Sequence, residues 1–274
     1  MLQLRKKEGV LVRVQGETVL AIKELQKSYG AKHVLKGIDL EVRKGQIIGY
    51  IGPNGAGKST TVKILLGLES ADRGEIEVFG EKISDSDIDY KKKIGYVPEI
   101  AEIYDNLTAN EYMTFIGELY GMPAKEASDK AYKLMNIFGL KDVFHSKISS
   151  YSKGMKQKVL IISSLLHDPE LLFFDEPING LDANSVMIFK EILAKLAAEG
   201  KTIFYSSHIM DVVEKISSRI ILLHNGRIVA DGTFDELKGQ NMEGTLEQIF
   251  NELTGFNEHG EIAERFVEIV RGGV

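Results

Sequence analysis

Two short stretches of the chain carry residues whose types and spacing suit phosphoryl chemistry. The first is Gly52-Pro53-Asn54-Gly55-Ala56-Gly57-Lys58-Ser59, followed by Thr60, and it fits the pattern G-x-x-x-x-G-K-[S/T] throughout. Its glycines let backbone N–H groups turn inward around a β-phosphate. A helix starting there would aim its unpaired amide donors and positive dipole end at the same anion. Lys58 adds a cation for the β- and γ-phosphates, and the Ser59 hydroxyl suits Mg²⁺. The bland alternative is a Gly-rich turn before a helix; the full match and the apolar strand before it weigh against that. The pattern points to a nucleoside triphosphate with Mg²⁺ and says little about its use.

The second stretch is Leu171-Leu172-Phe173-Phe174-Asp175-Glu176-Pro177, which puts two carboxylates at the end of an apolar strand. In a parallel α/β sheet the carboxyl ends of strands line the ligand crevice. Asp175 is suited there to hold Mg²⁺ through water, and Glu176 to polarise an attacking water. Alone, Asp-Glu-Pro would serve equally well as a strand-to-helix turn. Paired with the Gly-rich loop, the catalytic reading is favoured.

The surrounding pattern supplies elements to hold these groups. Val10, Val12 and Val14 alternate with Leu11, Arg13 and Gln15 and suggest a strand; Val19–Leu25 and Val34–Val42 suggest two more, joined through Tyr29-Gly30. Gln46–Ile51 leads into the Gly-rich loop and Ser59–Leu66 continues at helical spacing. Glu75–Phe79 and Ile94–Val97 are further strands. Thr108 and Glu111 form a capping-box pattern for a helix up to Tyr120. Pro123 opens another through about Phe138, and a third runs from near Ser152 to about His167. Strand and helix then alternate over Leu171–Phe174, Asp182–Ala198, Thr202–Tyr205 and Ile209–Ile216, which is parallel-sheet grammar. Ile220–His224, Asn225-Gly226 and Arg227–Ala230 read as a hairpin with a two-residue turn. Thr233 with Glu236 and Thr245 with Gln248 mark helix starts, and a charged helix is expected from about residue 257.

Bulk composition narrows the classes. The 274 residues are 43% hydrophobic and 27% charged with a net charge of −6, as in an ordinary soluble globular protein. Lys and Arg are dispersed, which argues against a nucleic-acid-binding surface. The absence of cysteine excludes disulfides, thiolate catalysis and Cys-based metal sites. The first residues lack the apolar stretch of a signal peptide, and no apolar run reaches the roughly 18–20 residues needed to span a bilayer.

Read with Tyr151-Ser152-Lys153-Gly154-Met155-Lys156-Gln157, these residues resemble the ATP-binding cassette (ABC) family, from about Leu20 to Thr254. The family's short signature, usually Leu-Ser-Gly-Gly-Gln, departs here: Tyr151 replaces Leu, Lys153 the first Gly and Met155 the Gln, while Ser152 and Gly154 are kept. The variant is similar to those of drug-, sodium- and antibiotic-exporter cassettes. Taken alone, Ser152–Gln157 would be an ordinary basic helix start. The resemblance implies instead that Ser152 and Gly154 face the γ-phosphate of a second copy, in a homodimer that sandwiches two ATP molecules head to tail. It also implies that Tyr29 stacks on adenine and His208 contacts the γ-phosphate. Asn179-Gly180-Leu181-Asp182 would cross the dimer interface, and Asp182 is equally a good N-cap. Glu99 stands where the family usually has Gln, as a Mg²⁺ ligand; it adds a negative charge beside the triphosphate that Mg²⁺ or Lys58 must screen.

The expected fold is therefore α/β: a P-loop NTPase core with a mainly parallel sheet, an antiparallel β subdomain and an inserted helical subdomain. Residues 1–18 are expected as an N-terminal extension, 19–239 as the ATPase domain with a helical insert at about 100–165, and 240–274 as a C-terminal helical tail without an assigned role. The resemblance implies an ATP-hydrolysing subunit that powers export through a separate membrane permease, peripheral on the cytoplasmic face. Ile100–Tyr112 and the helical insert are the expected permease contact. The alternative is a soluble ABC-type switch acting on ribosome or nucleic acid. Translation cassettes of that kind usually occur in pairs within one chain. Too few positions separate Lys58 from Ser152 for the long coiled coil of chromosome-organising relatives.

Overall fold

The computed structural model describes residues 16–84, 87–239, 244–255 and 259–271. Residues 47–51, 171–175 and 202–206 are near-continuous apolar runs, and in each every residue is buried. Such runs suit strands covered on both faces. They form β3 (Ile47–Ile51), β7 (Leu171–Asp175) and β8 (Thr202–Ser206). With β6 (Ile94–Val97) and β9 (Arg219–His224) they run parallel in one sheet, and β10 (Arg227–Gly232) closes one edge antiparallel. The strand order is β10-β9-β3-β8-β7-β6. The β9–β10 hairpin turns through Asn225 (φ 48°) and Gly226 (φ 77°), the left-handed pair that a two-residue turn requires.

A second sheet is wholly antiparallel. It holds β1 (Thr18–Tyr29), β2 (Lys32–Arg43), β4 (Arg73–Val78) and β5 (Glu81–Lys82) in the order β2-β1-β4-β5. β1 runs beyond the expected Leu25 because its ladder with β2 continues through bulges as far as Tyr29 and Lys32. The two-residue β5 and the short 3₁₀ turns at Asp89–Lys93, Lys141–Val143 and Ile148–Ser150 are too short to leave a periodicity in the sequence. The strand expected at Val10–Val14 lies outside the described residues.

The parallel sheet divides two cores, and the two-residue alternation of its strands decides which side chain joins which. Ile48, Tyr50, Phe173 and Phe204 point into a core shared with the antiparallel sheet and with α1 (Lys58–Leu65). Ile47, Ile51, Leu172, Phe174 and Tyr205 point the other way, against α5 (Ala183–Ala198) and α6 (Met210–Ile216). Full burial of each large apolar side chain is worth about 1.5–3 kcal/mol of transfer free energy.

Between β6 and β7 the chain forms α2 (Ala109–Leu119), α3 (Ala124–Ile137) and α4 (Lys153–Leu165). The Thr108 box forms as expected: Thr108 Oγ1 accepts from the Glu111 amide at 3.2 Å and Glu111 accepts from the Thr108 amide at 2.8 Å. These helices have no core of their own. Met113, Ala127, Met135 and Ile161 belong to the same buried cluster as Phe174 and Tyr205. α4 makes the join: a Cβ on Gly95 of β6 would lie 2.3 Å from the Ser164 carbonyl of α4, so only glycine permits this approach. After β10 come α7 (Phe234–Gly239), α8 (Leu246–Thr254) and α9 (His259–Val270). Among the described residues no helix is long and apolar enough to cross a membrane.

Candidate active site

The carboxyl ends of β3, β7 and β8 open into one cleft of about 1360 Å³. The Gly-rich loop leaves β3 there. Gly55 (φ 80°) and Gly57 (φ 112°) hold left-handed conformations that a side chain would strain, and a Cβ at Gly57 would meet Leu35 at 2.5 Å. Gly57 is the N-cap of α1 and offers no side-chain cap, so the first-turn amides of that helix remain available to an anion. Lys58 folds back over the loop, its Nζ donating to the carbonyls of Gly52 at 2.7 Å and Pro53 at 3.3 Å. Burial pulls its pKa down, and the negative charges of Glu176, Asp175 and Glu99 oppose that. Ala56 is the exception within the motif. Its methyl is buried in the core beneath the loop and does not line the cleft, which leaves only its backbone for a ligand.

The Ser59 hydroxyl donates to the Asp175 carboxylate at 3.1 Å, tying the start of α1 to the end of β7. Glu99 lines the same cleft. The hydroxyl and two carboxylates are hard oxygen donors, the type that Mg²⁺ selects. Among the described residues no group of three or more His, Cys, Asp or Glu is placed to hold a metal by itself. That fits an ion which takes most of its ligands from phosphate and water, as Mg²⁺ does. The negative field is felt nearby: the Tyr96 hydroxyl is pushed up to about 12 by burial first, then by the charges of Asp175 and Glu99.

Glu176 sits in a left-handed backbone conformation (φ 49°), which costs a non-glycine residue about 1–2 kcal/mol. Its amide donates to the Ser206 carbonyl at 2.9 Å and holds that turn. The buried carboxylate accepts from Ser207 Oγ at 3.0 Å, the His208 amide at 2.8 Å and His208 Nδ1 at 2.6 Å. A carboxylate in this bond can only accept, so Nδ1 carries the proton. The residue after β7 and the residue two past β8 are thus one hydrogen-bonded unit.

Of the residues expected from sequence, the cleft gathers Tyr29, Gly52, Asn54, Gly55, Gly57, Lys58, Ser59, Thr60, Glu99, Asp175, Glu176 and His208. Tyr29 lies at the mouth, 46% exposed, with its hydroxyl bonded to Glu69. Ser152 and Gly154 are not among the cleft residues. Ser152 caps α4, accepting from the Met155 amide at 3.3 Å, and a Cβ on Gly154 would lie 2.5 Å from the Gly180 carbonyl. The signature turn therefore abuts the Asn179–Asp182 loop of its own chain. Asp182 caps α5 through the Ser185 amide at 2.9 Å. The Ser185 hydroxyl and amide, with Lys158, hold the Asp182 carboxyl well below the usual carboxylate range.

One wall of the cleft was not legible in the sequence. Glu247, Phe250, Asn251 and Thr254 line it from α8, beside Met210 and Asp211 of α6. Leu246 and Ile249, on the other face of α8, are fully buried, and the Leu246 amide donates to Glu214 of α6 at 3.2 Å. The Thr245 and Gln248 pattern marks the helix start, but no local signal says where the helix docks.

Comparison with known proteins agrees with this geometry. The family model described as ABC transporter matches residues 35–179. The linearmycin resistance ATP-binding protein of Bacillus subtilis is 37% identical over 247 residues, covering 90% of this chain and 79% of that protein. The bacitracin transport ATP-binding protein of Bacillus licheniformis is 36% identical, covering 82% of this chain and 72% of that one. A solved ATP-binding subunit of an ABC transporter superposes with a TM-score of 0.81 at 35% identity, covering 86% of this chain and all (100%) of that one. Likeness of this depth, along most of both partners' lengths and with the phosphate loop and acidic strand end in one cleft, means that the chain belongs to the ABC transporter family, as an ATP-binding subunit with ATPase activity.

Proposed function

We propose that this chain is the energy-supplying subunit of an exporter, working from the cytoplasmic face of the membrane on a separate permease. The observation that carries the catalytic part is the joining of two pairs in one cleft: Ser59 with Asp175 at 3.1 Å, and Glu176 with His208 at 2.6 Å. In this reading the amides of Gly52–Thr60 and the ammonium of Lys58 hold the phosphates, and Tyr29 meets the adenine. Ser59, Asp175 and Glu99 would hold Mg²⁺, which when bound neutralises phosphate charge. Glu176 orients and deprotonates the attacking water, and His208 Nε2 faces the γ-phosphate.

Ser152 and Gly154 lie outside their own chain's cleft, which supports a role as the lid of a second copy's site in a head-to-tail homodimer. Export rather than import is supported by the Ser152-Lys153-Gly154-Met155 signature and by relatives named for antibiotic resistance and bacitracin transport. The permease reading is supported by an exposed apolar patch on the helical insert. Tyr104 and Phe115, whose rings lie 6.0 Å apart, and Leu119 one turn on from Phe115 are 61%, 40% and 64% exposed. Isolated surface apolar residues are ordinary, but a cluster marks a contact surface. The test is a pull-down from native membranes. Recovery of an integral-membrane partner supports the reading, and recovery of ribosomes instead overturns it.

A further inference from the structure

The cleft carries more negative charge than one bound nucleotide explains. Glu99, Asp175 and Glu176 cluster at the phosphate end, and Asp211 and Glu247 stand on the wall built by α6 and α8. Against these five carboxylates, among the described residues, the cleft offers only Lys32 and Lys58 as lysine or arginine. A triphosphate adds further negative charge, and Mg²⁺ with Lys58 would be engaged by it and by the first three acids. Asp211 and Glu247 are exposed, and among the described residues neither has a hydrogen-bond or ion-pair partner on its carboxylate. Space is also in excess. The cleft measures about 1360 Å³, whereas small-molecule pockets run to roughly 300–1,000 Å³.

A matching cation stands on the signature turn. Three lysines begin α4. Lys156 pairs with Asp105 at 2.8 Å and Lys158 with Asp182 at 3.3 Å. Lys153 is exposed and, among the described residues, has no ion pair. Its stem lies along Gly180, at the dimer-facing loop. It also occupies the signature position where glycine is usual.

We propose that Lys153 of one copy enters the cleft of a second copy and pairs with Asp211 and Glu247 on its α6–α8 wall. The proposal rests on the head-to-tail reading above, in which Ser152 and Gly154 cross into the partner's cleft and carry Lys153 between them. α8 then becomes part of the ATP-dependent interface, and its acidic face makes closure selective for a basic signature turn. Like-charge juxtaposition at such a contact opposes closure, which gives the pair a role in choosing the partner.

The test is a charge-reversal cycle in the Glu176→Gln background, reading the dimer dissociation constant in saturating ATP·Mg²⁺ by analytical ultracentrifugation. Lys153→Glu alone, and Asp211→Lys with Glu247→Lys, should each weaken the dimer about tenfold or more. Combining all three should restore most of the loss. Melting temperatures of each variant establish that the monomers fold. The chain has no cysteine, so Lys153→Cys with Glu247→Cys should give an inter-chain crosslink with a short bismaleimide only when ATP is present. Reversals without effect, a triple variant no better than the sum of its parts, or no ATP-dependent crosslink would each overturn the pairing. If Glu176→Gln alone stays monomeric in ATP, the head-to-tail reading itself has failed, and that result is separate from the charge cycle.

Discussion

At the scale of single residues, Glu176 and Glu99 lie in the same cleft and lead to opposite expectations. Glu176 is buried, strained at φ 49° and held by three donors from Ser207 and His208. These contacts fix that carboxylate in place, which suits the general-base role proposed for it. Under that proposal Glu176→Gln keeps the shape but removes the base, so turnover should fall about 10²–10⁴-fold while ATP affinity holds. Phosphate release with a fluorescent-nucleotide titration reads both. Glu99 lines the cleft with no hydrogen bond of its own among the described residues. Glu99→Gln retains an oxygen donor and sheds a charge, so turnover should stay within about tenfold of the parent, roughly 1.4 kcal/mol of barrier. A larger loss in steady-state ATPase assays would make Glu99 essential in its ionised form.

At the scale of elements, the helical insert is joined to the catalytic sheet by contact between α4 and β6. The added methyl of Gly95→Ala would sit 2.3 Å from the Ser164 carbonyl, a backbone atom with little room to give. Overpacking of this kind costs about 1–3 kcal/mol, and chemical denaturation should show a loss in that range. The same junction holds His167, whose ring stacks on Tyr120 at 3.6 Å between centroids and whose Nε2 donates to the Ile94 carbonyl at 2.9 Å. Among the described residues Nδ1 is buried without a hydrogen-bond partner. Burial is the main cause of a pKa lowered from 6.5. The folded state therefore binds this proton less readily than the unfolded chain. Stability from the neutral ring is complete above pH 6.5 and is lost as pH falls from there through the folded pKa. Melting temperature should drop on acidification below that value, and His167→Phe should flatten that part of the profile. An unchanged slope in the variant would assign the acid sensitivity to other groups.

At the scale of the whole molecule, the cleft and the signature turn face different neighbours. Lys153 and Gly154 abut Gly180 of their own chain, and Ser152 and Gly154 stay out of their own cleft. If the turn completes a partner's site, Glu176→Gln should accumulate as a dimer in saturating ATP·Mg²⁺. Monomer persisting on size-exclusion chromatography would count against it. The exposed group around Tyr104, whose ring lies 6.0 Å from Phe115 and 6.3 Å from Tyr112, is a separate surface on the helical insert. Tyr104→Asp with Leu119→Asp should abolish co-purification of the proposed membrane partner and leave the solution ATPase rate within about twofold. Loss of the ATPase rate as well would show that the patch serves the fold rather than a partner.

What the residues determined unaided were the features whose causes are local. The phosphate loop was readable because positive φ at Gly55 and Gly57 demands glycine, whatever surrounds them. The starts of α2, α4, α5 and α8 were readable because Thr108, Ser152, Asp182 and Thr245 each cap an amide three residues on. The acidic strand end was readable because a strand buried on both faces is an apolar run that stops where the ligand begins. Tertiary structure decided what depends on distant segments meeting. It put the His208 imidazole on Glu176, although the two are far apart along the chain, because β7 and β8 pair in register at Asp175 and Ser206. It withdrew Ala56 into the core and left only its backbone at the site. It gave the helical insert no core of its own, because α4 packs against Gly95. And it laid α8 along the cleft, since the burial of Leu246 and Ile249 against α6 is what turns Glu247 and Asn251 toward the nucleotide side. An amphipathic pattern says that a helix has a face to bury; only the packed neighbours determine what its other face will see.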